Sequence, residues 1–304
     1  MTYSLVARDP ESGQLGVAVQ SHFFSVGTVV TWAEPGVGAV ATQAFAEVSY
    51  GPRGLQLMRA GRSAAGALGE LLDEDPGEAV RQVAMIDSAG RVAVHTGQNC
   101  VPEAGHRVGR QVSAQANMMR RDSVWDAMLD AYSSSGDDMP SRLLAALDAG
   151  EREGGDLRGR QSAALLVVGG KRSDEPWRER VCDLRVEDHA EPLRELRRLV
   201  ELRRAYDRVE RAEELTLAKD IEGALAAYEE AEAAAPGNIE PMFWRGVSLA
   251  AAGRVDEARP VLARAFEAHE GWRELLRRLP VTGLLPDDPQ LLRSLMPEWG
   301  ASGE

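Results

Sequence analysis

The chain has no run of eighteen apolar residues, no excess of basic charge and only two cysteines. Without such a run no membrane-spanning helix is expected. The formal net charge of -13, from 48 acidic against 35 basic residues, argues against general nucleic-acid binding, where a basic surface supplies most of the affinity. It argues equally against an anionic membrane surface as partner. No basic segment precedes an apolar core at the start, because Arg8, Asp9 and Pro10 break the run, so no signal peptide is expected. Cys100 and Cys182 stand far apart and are expected as reduced thiols in a cytoplasmic protein.

Metal-ligand spacings are missing too. His22, His95, His106, His189 and His269 are scattered, with no HxxxH, HxH or CxxC pattern, so no zinc centre is expected. There is no P-loop, and "GVGAVA" is a weak echo of a dinucleotide fingerprint with no helix start after it. No cofactor is expected.

What remains is a chain of 304 residues, 44% hydrophobic and 27% charged, the balance of a globular protein with a core of substantial size. Strand patterns fall at residues 2–8, 16–21, 28–32, 38–43, 83–87, 91–95, 111–117, 162–168 and 181–186. "RDPESGQ" separates the first two as a hairpin loop, and "IDSAGRVAV" reads as a second hairpin turning at Ser88, Ala89 and Gly90. Helix patterns fall at 52–59, 64–72, 123–132 and 141–150, the third with Asp122 as an N-cap. Strands in groups, with helices between the groups, predict an α+β fold of antiparallel sheets carrying helices on their outer faces. "GVGAVATQAFA" is small and apolar almost throughout, the pattern of a strand buried on both faces.

After His189 strand signals stop. "DIEGALAAYEEAEAAAPGN" and "RVDEARPVLARAFEAHEGW" align at an offset of 34 residues, which pairs Ala224 with Ala258 and Ala231 with Ala265. That offset, with small residues where helices cross, is the tetratricopeptide period. The segment 238–253 supplies a helix between the two, ended by Gly253. About two units are visible, one short of the three usual for stand-alone stability.

Thr2 opens the first strand. A threonine hydroxyl is a poor nucleophile alone, but its own α-amine, with a reference pKa of about 7.7–8.0, can take the hydroxyl proton. That requires removal of Met1, which a small second residue favours; otherwise Thr2 is simply a common second residue. Cys100 lies six residues before His106, either a Cys–His pair or a buried thiol near a loop histidine. Asn117, Gln161 and Ser162 fall at strand ends. There, amides and hydroxyls either polarise a substrate carbonyl or satisfy local backbone groups.

Five blocks, "TYSLVARDPESGQLGVAVQS", "GVGAVATQAFAEVSYGPRGLQLM", "GHRVGRQVSAQANMM", "GGDLRGRQSAALLVV" and "CDLRVEDH", together resemble the bacterial family known as domain of unknown function 1028. The family is placed in the N-terminal nucleophile (Ntn) hydrolase superfamily, and the blocks run from Thr2 to about Arg204. The resemblance implies a four-layer αββα sandwich over 1–204, followed by a helical tetratricopeptide-like domain over 205–304. It places the nucleophile on Thr2, with Ser21 and His22 as polar neighbours. It also implies oxyanion donors in the backbone N–H groups near Gln43 and Ala44, and a homodimer. The chain departs from the family at His22, where a basic residue is usual, at Ala116, where glycine precedes the asparagine, and near Pro102, where an aromatic is common.

The expected function is hydrolysis of a small amide or peptide, with Thr2 as nucleophile and its amine as base. Asn117, Gln161 and Ser162 would orient the amine or the substrate. The alternative is a non-catalytic module that binds a protein or peptide partner through the helical repeat, where "FWRGVSLAAAGR" offers aromatic and basic side chains.

Overall fold

The computed structural model describes residues 2–296. Met1, whose removal is expected, and 297–304, the end of the expected repeat domain, lie outside the described residues. In chain order the first part comprises β1 (Thr2–Arg8), β2 (Leu15–Ser21), α1 (Gly27–Val30), β3 (Thr31–Glu34), β4 (Gly38–Ala44), α2 (Tyr50–Arg59) and α3 (Ala64–Glu74). There follow β5 (Arg81–Asp87), β6 (Val92–Thr96), β7 (Gly105–Gly109), β8 (Val112–Asn117), α4 (Val124–Ser134) and α5 (Met139–Arg152). β9 (Ser162–Val168), β10 (Arg180–Val186) and α6 (Pro192–Leu217) complete it.

The strands form two antiparallel sheets, one in the order β10-β9-β2-β1-β8-β7 and the other in the order β3-β4-β5-β6. The first strand therefore lies inside its sheet, between β2 and β8. Period-two alternation divides its side chains. Tyr3, Leu5 and Ala7 turn outward onto Met128, Leu143 and Leu147 of α4 and α5. Val6 joins Val17, Val19 and Leu166 against Ala39, Ala41, Ala84 and Ile86 of the second sheet. Beyond that sheet, Val40, Val83 and Met85 pack on Leu55, Leu68 and Leu71 of α2 and α3. Three apolar interfaces thus separate four layers: helices, sheet, sheet, helices. Each fully buried Val, Leu or Ile contributes about 1.5–3 kcal/mol against exposure.

Turn chemistry follows the sequence closely. In the first hairpin Asp9 Oδ1 accepts from the N–H groups of Glu11 and Ser12, and Gly13 takes φ +76°. In the second, Asp87 Oδ1 accepts from Ala89 and Arg91, and Gly90 takes φ +79°.

The predicted strand at 28–32 is instead a short helical turn, α1, leading into β3. β-Branched Thr28, Val29 and Val30 carry the strand signal, but Val30 N donates to Val26 O and Thr31 Oγ1 to Gly27 O, which closes a helical turn. Gly27 allows it, since a Cβ there would meet Ala164 Cβ at 2.5 Å. β7 carries no sequence signal because His106, Arg107 and Val108 face solvent at a sheet edge. The N-cap of α4 is Ser123, not Asp122, and its side chain makes no capping bond.

The chain divides into two compact units at Val200–Glu201. α6 runs unbroken through that division and through the expected boundary after Arg204. The second unit is helical: α7 (Ile221–Ala234), α8 (Ile239–Ala251), α9 (Val255–Ala268), α10 (Gly271–Arg278) and α11 (Pro289–Leu295). α7 and α9 begin and end at the offset visible in the sequence, and Ala224, Ala231, Ala258 and Ala265 are all fully buried. Asn238 caps α8, and Gly253 ends it at φ +78°. Close crossing of α8 and α9 is visible at Gly246, where a Cβ would lie 2.7 Å from Leu262 Cγ. The architecture is an α+β domain followed by helices, and among the described residues no helix is long and apolar enough to cross a membrane.

Candidate active site

Strand register aligns four of the expected residues. Ser162 pairs with Ser21, Ser21 with Thr2, and Thr2 with Asn117, so one transverse row crosses β9, β2, β1 and β8. Directly paired residues hold their Cβ atoms about 4.5–5.5 Å apart. Thr2 is only 6% exposed, and its Oγ1 lies 3.1 Å from Ser21 Oγ, where either hydroxyl can donate.

Side chains from both sheets fix the Thr2 backbone. Gln43 Nε2 donates to Thr2 O at 3.3 Å, and Asn117 Nδ2 donates to the same oxygen at 3.4 Å. Both amides also donate to Gln82 Oε1, at 2.7 and 2.9 Å. Ser4 Oγ accepts from Gln115 Nε2 and donates to Gln43 Oε1. Gln82 Nε2 donates to Ala116 O and Thr96 Oγ1. Every member of this chain from Ser4 to Asn117 other than Thr96 is at most 1% exposed. A buried carboxamide left unbonded costs about 1–3 kcal/mol, so the satisfied network locks the row in one geometry.

Thr2 opens onto a cavity of about 240 Å³. Ser21, Gln43, Ala44 and Asn117 line it beside Thr2, and Phe23, Val26, Val29, Val30, Phe45, Ala46, Val101, Met118 and Arg158 complete the wall. Two wall residues, Ala44 at φ +69° and Met118 at φ +64°, occupy the left-handed region without being glycine. Such conformations cost about 1–3 kcal/mol each and cluster at functional sites. They turn the backbone at the ends of β4 and β8, where each strand meets the cavity.

Five of the eight expected residues, Thr2, Ser21, Gln43, Ala44 and Asn117, therefore share one wall, whereas His22, Gln161 and Ser162 stand behind it. His22 Nδ1 faces Arg160 O at 3.3 Å, and its backbone N–H is held by Asp156 Oδ2 at 3.0 Å. Gln161 Nε2 donates to Asp188 Oδ1. Ser162 Oγ donates to Phe23 O and accepts from Val26 N, so it braces the loop that carries two wall residues. The Gln43 side chain is consumed by the inter-sheet network.

Cys100 and His106 are engaged separately. The thiol donates to Arg81 O and its pKa is pushed up by burial, whereas His106 Nδ1 bonds Thr96 Oγ1. Among the described residues no cluster of three or more His, Cys, Asp or Glu is placed to hold a metal.

Sequence reasoning passed over Ser4, Gln82 and Gln115, although polar residues inside otherwise apolar strands were the available signal. It also passed over Asp156, which is 3% exposed and accepts from the His22 and Arg158 N–H groups and the Arg158 guanidinium. Arg158 is a local partner two residues on, and the distant bond from His22, just past the end of β2, ties Asp156 to the site.

A family model described as a family of unknown function, DUF1028, matches residues 2–196, and a tetratricopeptide repeat model matches 215–279. The crystal structure of protein SPO2555 from Silicibacter pomeroyi, described with that same family model, is 32% identical. That match covers 66% of this chain and 88% of the other, with a TM-score of 0.59. Anbu (ancestral beta-subunit) from Yersinia bercovieri matches at 14% identity over 64% of this chain and 91% of that one, with a TM-score of 0.30. No curated protein matches the chain.

Proposed function

The chain belongs to the DUF1028 family of unknown function, and from that premise we propose that it is an amide hydrolase of the N-terminal nucleophile type, with the αββα sandwich of that superfamily. Removal of Met1 would leave Thr2 as the mature terminus. The observation that carries this reading is a nearly buried threonine hydroxyl on a cavity wall, at the first position of an interior strand.

In this reading Thr2 Oγ1 attacks the substrate carbonyl carbon. The hydroxyl proton passes to the Thr2 α-amine, directly or through one water, and from there to the departing nitrogen as the C–N bond breaks. Water then attacks the resulting ester, its proton returns to Thr2 Oγ1, and the acid is released. Negative charge on the tetrahedral oxygen is met by backbone N–H groups near Gln43 and Ala44, preorganised by the left-handed turn at Ala44. Ser21 orients the Thr2 hydroxyl, and Asn117 holds the Thr2 carbonyl. Gln161 and Ser162 act at one remove, as braces of the β2 end and the Phe23–Val26 loop.

Two measurements test the proposal together. Intact mass of the purified chain should show Met1 removed, and a panel of acyl amides and small peptides should yield at least one substrate whose turnover disappears in Thr2→Ala. A retained Met1, or a Thr2→Ala variant that still turns the substrate over, removes Thr2 from the chemistry.

A second reading rests on a different observation, the tetratricopeptide match over 215–279. The helical unit would bind a peptide or protein partner, independently of whether the first unit is catalytic.

A further inference from the structure

The cavity wall is chemically one-sided. Phe23, Val26, Val29, Val30, Val101 and Met118 supply apolar surface, and Arg158 is the single charged side chain among the wall residues. Its guanidinium pairs with the Asp156 carboxylate at 3.3 Å, and that carboxylate is fully buried, so the pair brings no net charge to the wall. The Gln43 and Asn117 amides already donate to Gln82 and to the Thr2 carbonyl. The polar groups that remain at the wall centre on the Thr2 and Ser21 hydroxyls.

Resting on the amide-hydrolase reading, we infer that the cavity holds the acyl side of the substrate, and that this side is uncharged, apolar and about the size of a leucyl residue. The volume of 240 Å³ corresponds to roughly eight water volumes of about 30 Å³, close to the number of non-hydrogen atoms in such a residue. The acyl side goes inside because it stays bonded to Thr2 while the amine leaves and water enters. Phe23 and Phe45 are 51% and 61% exposed, and they mark the mouth through which that exchange runs. A charged side chain carried past them would lose its hydration against valine and methionine, where the one charged wall side chain, Arg158, is already paired with Asp156. A third wall residue at the surface, Val101, is 36% exposed.

The test separates binding from chemistry. The full chain carrying Thr2→Ala is titrated calorimetrically with N-acetyl-leucine amide, N-acetyl-glutamate amide and N-acetyl-lysine amide. Leucine binding at least tenfold tighter than either charged probe is expected. Equal or tighter binding of a charged probe, or no binding of all three, overturns the inference. In parallel, the unmutated chain is assayed on the coumarylamides of the same three acyl groups. A leucine preference in binding with no turnover of any amide leaves the acyl site standing and removes the hydrolase reading instead. Val101→Glu supplies an independent check, since a carboxylate at the rim should narrow the leucine-over-lysine ratio by at least tenfold. An unchanged ratio there also counts against the inference.

Discussion

Thr2 Oγ1 and Ser21 Oγ face each other at 3.1 Å across the β1–β2 pair, with Ser21 fully buried. A hydroxyl so placed restricts the rotation of its neighbour. Ser21→Ala is expected to cost about 0.5–1.5 kcal/mol of stability, the usual net value of one hydrogen bond. On the proposed mechanism it should also lower turnover about tenfold, equivalent to about 1.4 kcal/mol of barrier. Denaturation and a rate assay on the same preparations read both effects. Full turnover in the variant would mean that Thr2 needs no orienting partner.

Gln82 is the hub that joins the two sheets beneath the site. Gln82→Leu fills a similar volume but leaves Gln43 Nε2 and Asn117 Nδ2 without the short acceptor they share. Each buried donor left unsatisfied costs about 1–3 kcal/mol, so a loss of about 2–5 kcal/mol is expected in urea denaturation, with the slope unchanged. A loss below about 1 kcal/mol would show that the carboxamides re-pair within the sheets.

Much of this arrangement was legible in the sequence because it follows from local rules. Gly13 and Gly90 mark turns, and the hairpin around Thr2 follows from apolar runs on either side of "RDPESGQ". The repeat of Ala224 and Ala231 at Ala258 and Ala265 fixes the helical pair by period alone. What stayed hidden depends on contacts between distant segments. Gln82 shows in the sequence only as a polar residue in an apolar strand, and its role emerges when β4 and β8 bring Gln43 and Asn117 to it. Gly27 lets the helical turn in a β-branched stretch sit close against β9, where a Cβ would meet Ala164. His22 and Gln161 carry side chains suited to catalysis but point to Arg160 and Asp188, and no spacing rule distinguishes the two sides of a strand end.

Acid should loosen the cavity wall through Asp75. The Arg81 hydrogen bond, supported by the Gly77 N–H, holds this carboxyl below its usual range. Arg81 in turn donates to Phe45 O at the cavity mouth. Because the folded-state pKa is depressed, the stabilisation is fully present above the unfolded value of about 3.9. It is lost as the pH falls through the folded value. Asp75→Asn should therefore be about 1–3 kcal/mol less stable than the parent chain near pH 7, and the gap should begin to narrow below about pH 4. Parallel denaturation curves from pH 7 to pH 3 check this, and a gap independent of pH would assign the loss to packing rather than charge.

Ala44 provides the sharpest contrast between stability and activity. At φ +69° its Cβ is held in a region that alanine avoids, at a cost of about 1–3 kcal/mol. Glycine adopts that backbone freely, although it gains entropy in the unfolded chain and so recovers only part of the cost. Ala44→Gly is expected to leave stability unchanged or raise it by up to about 1 kcal/mol. If the strained turn aims backbone N–H groups at the developing oxyanion, releasing it should lower turnover by about tenfold, with little change in KM. Turnover that tracks the parent chain while stability rises would show that the turn only shapes the wall, and would move the oxyanion donors elsewhere on the cavity.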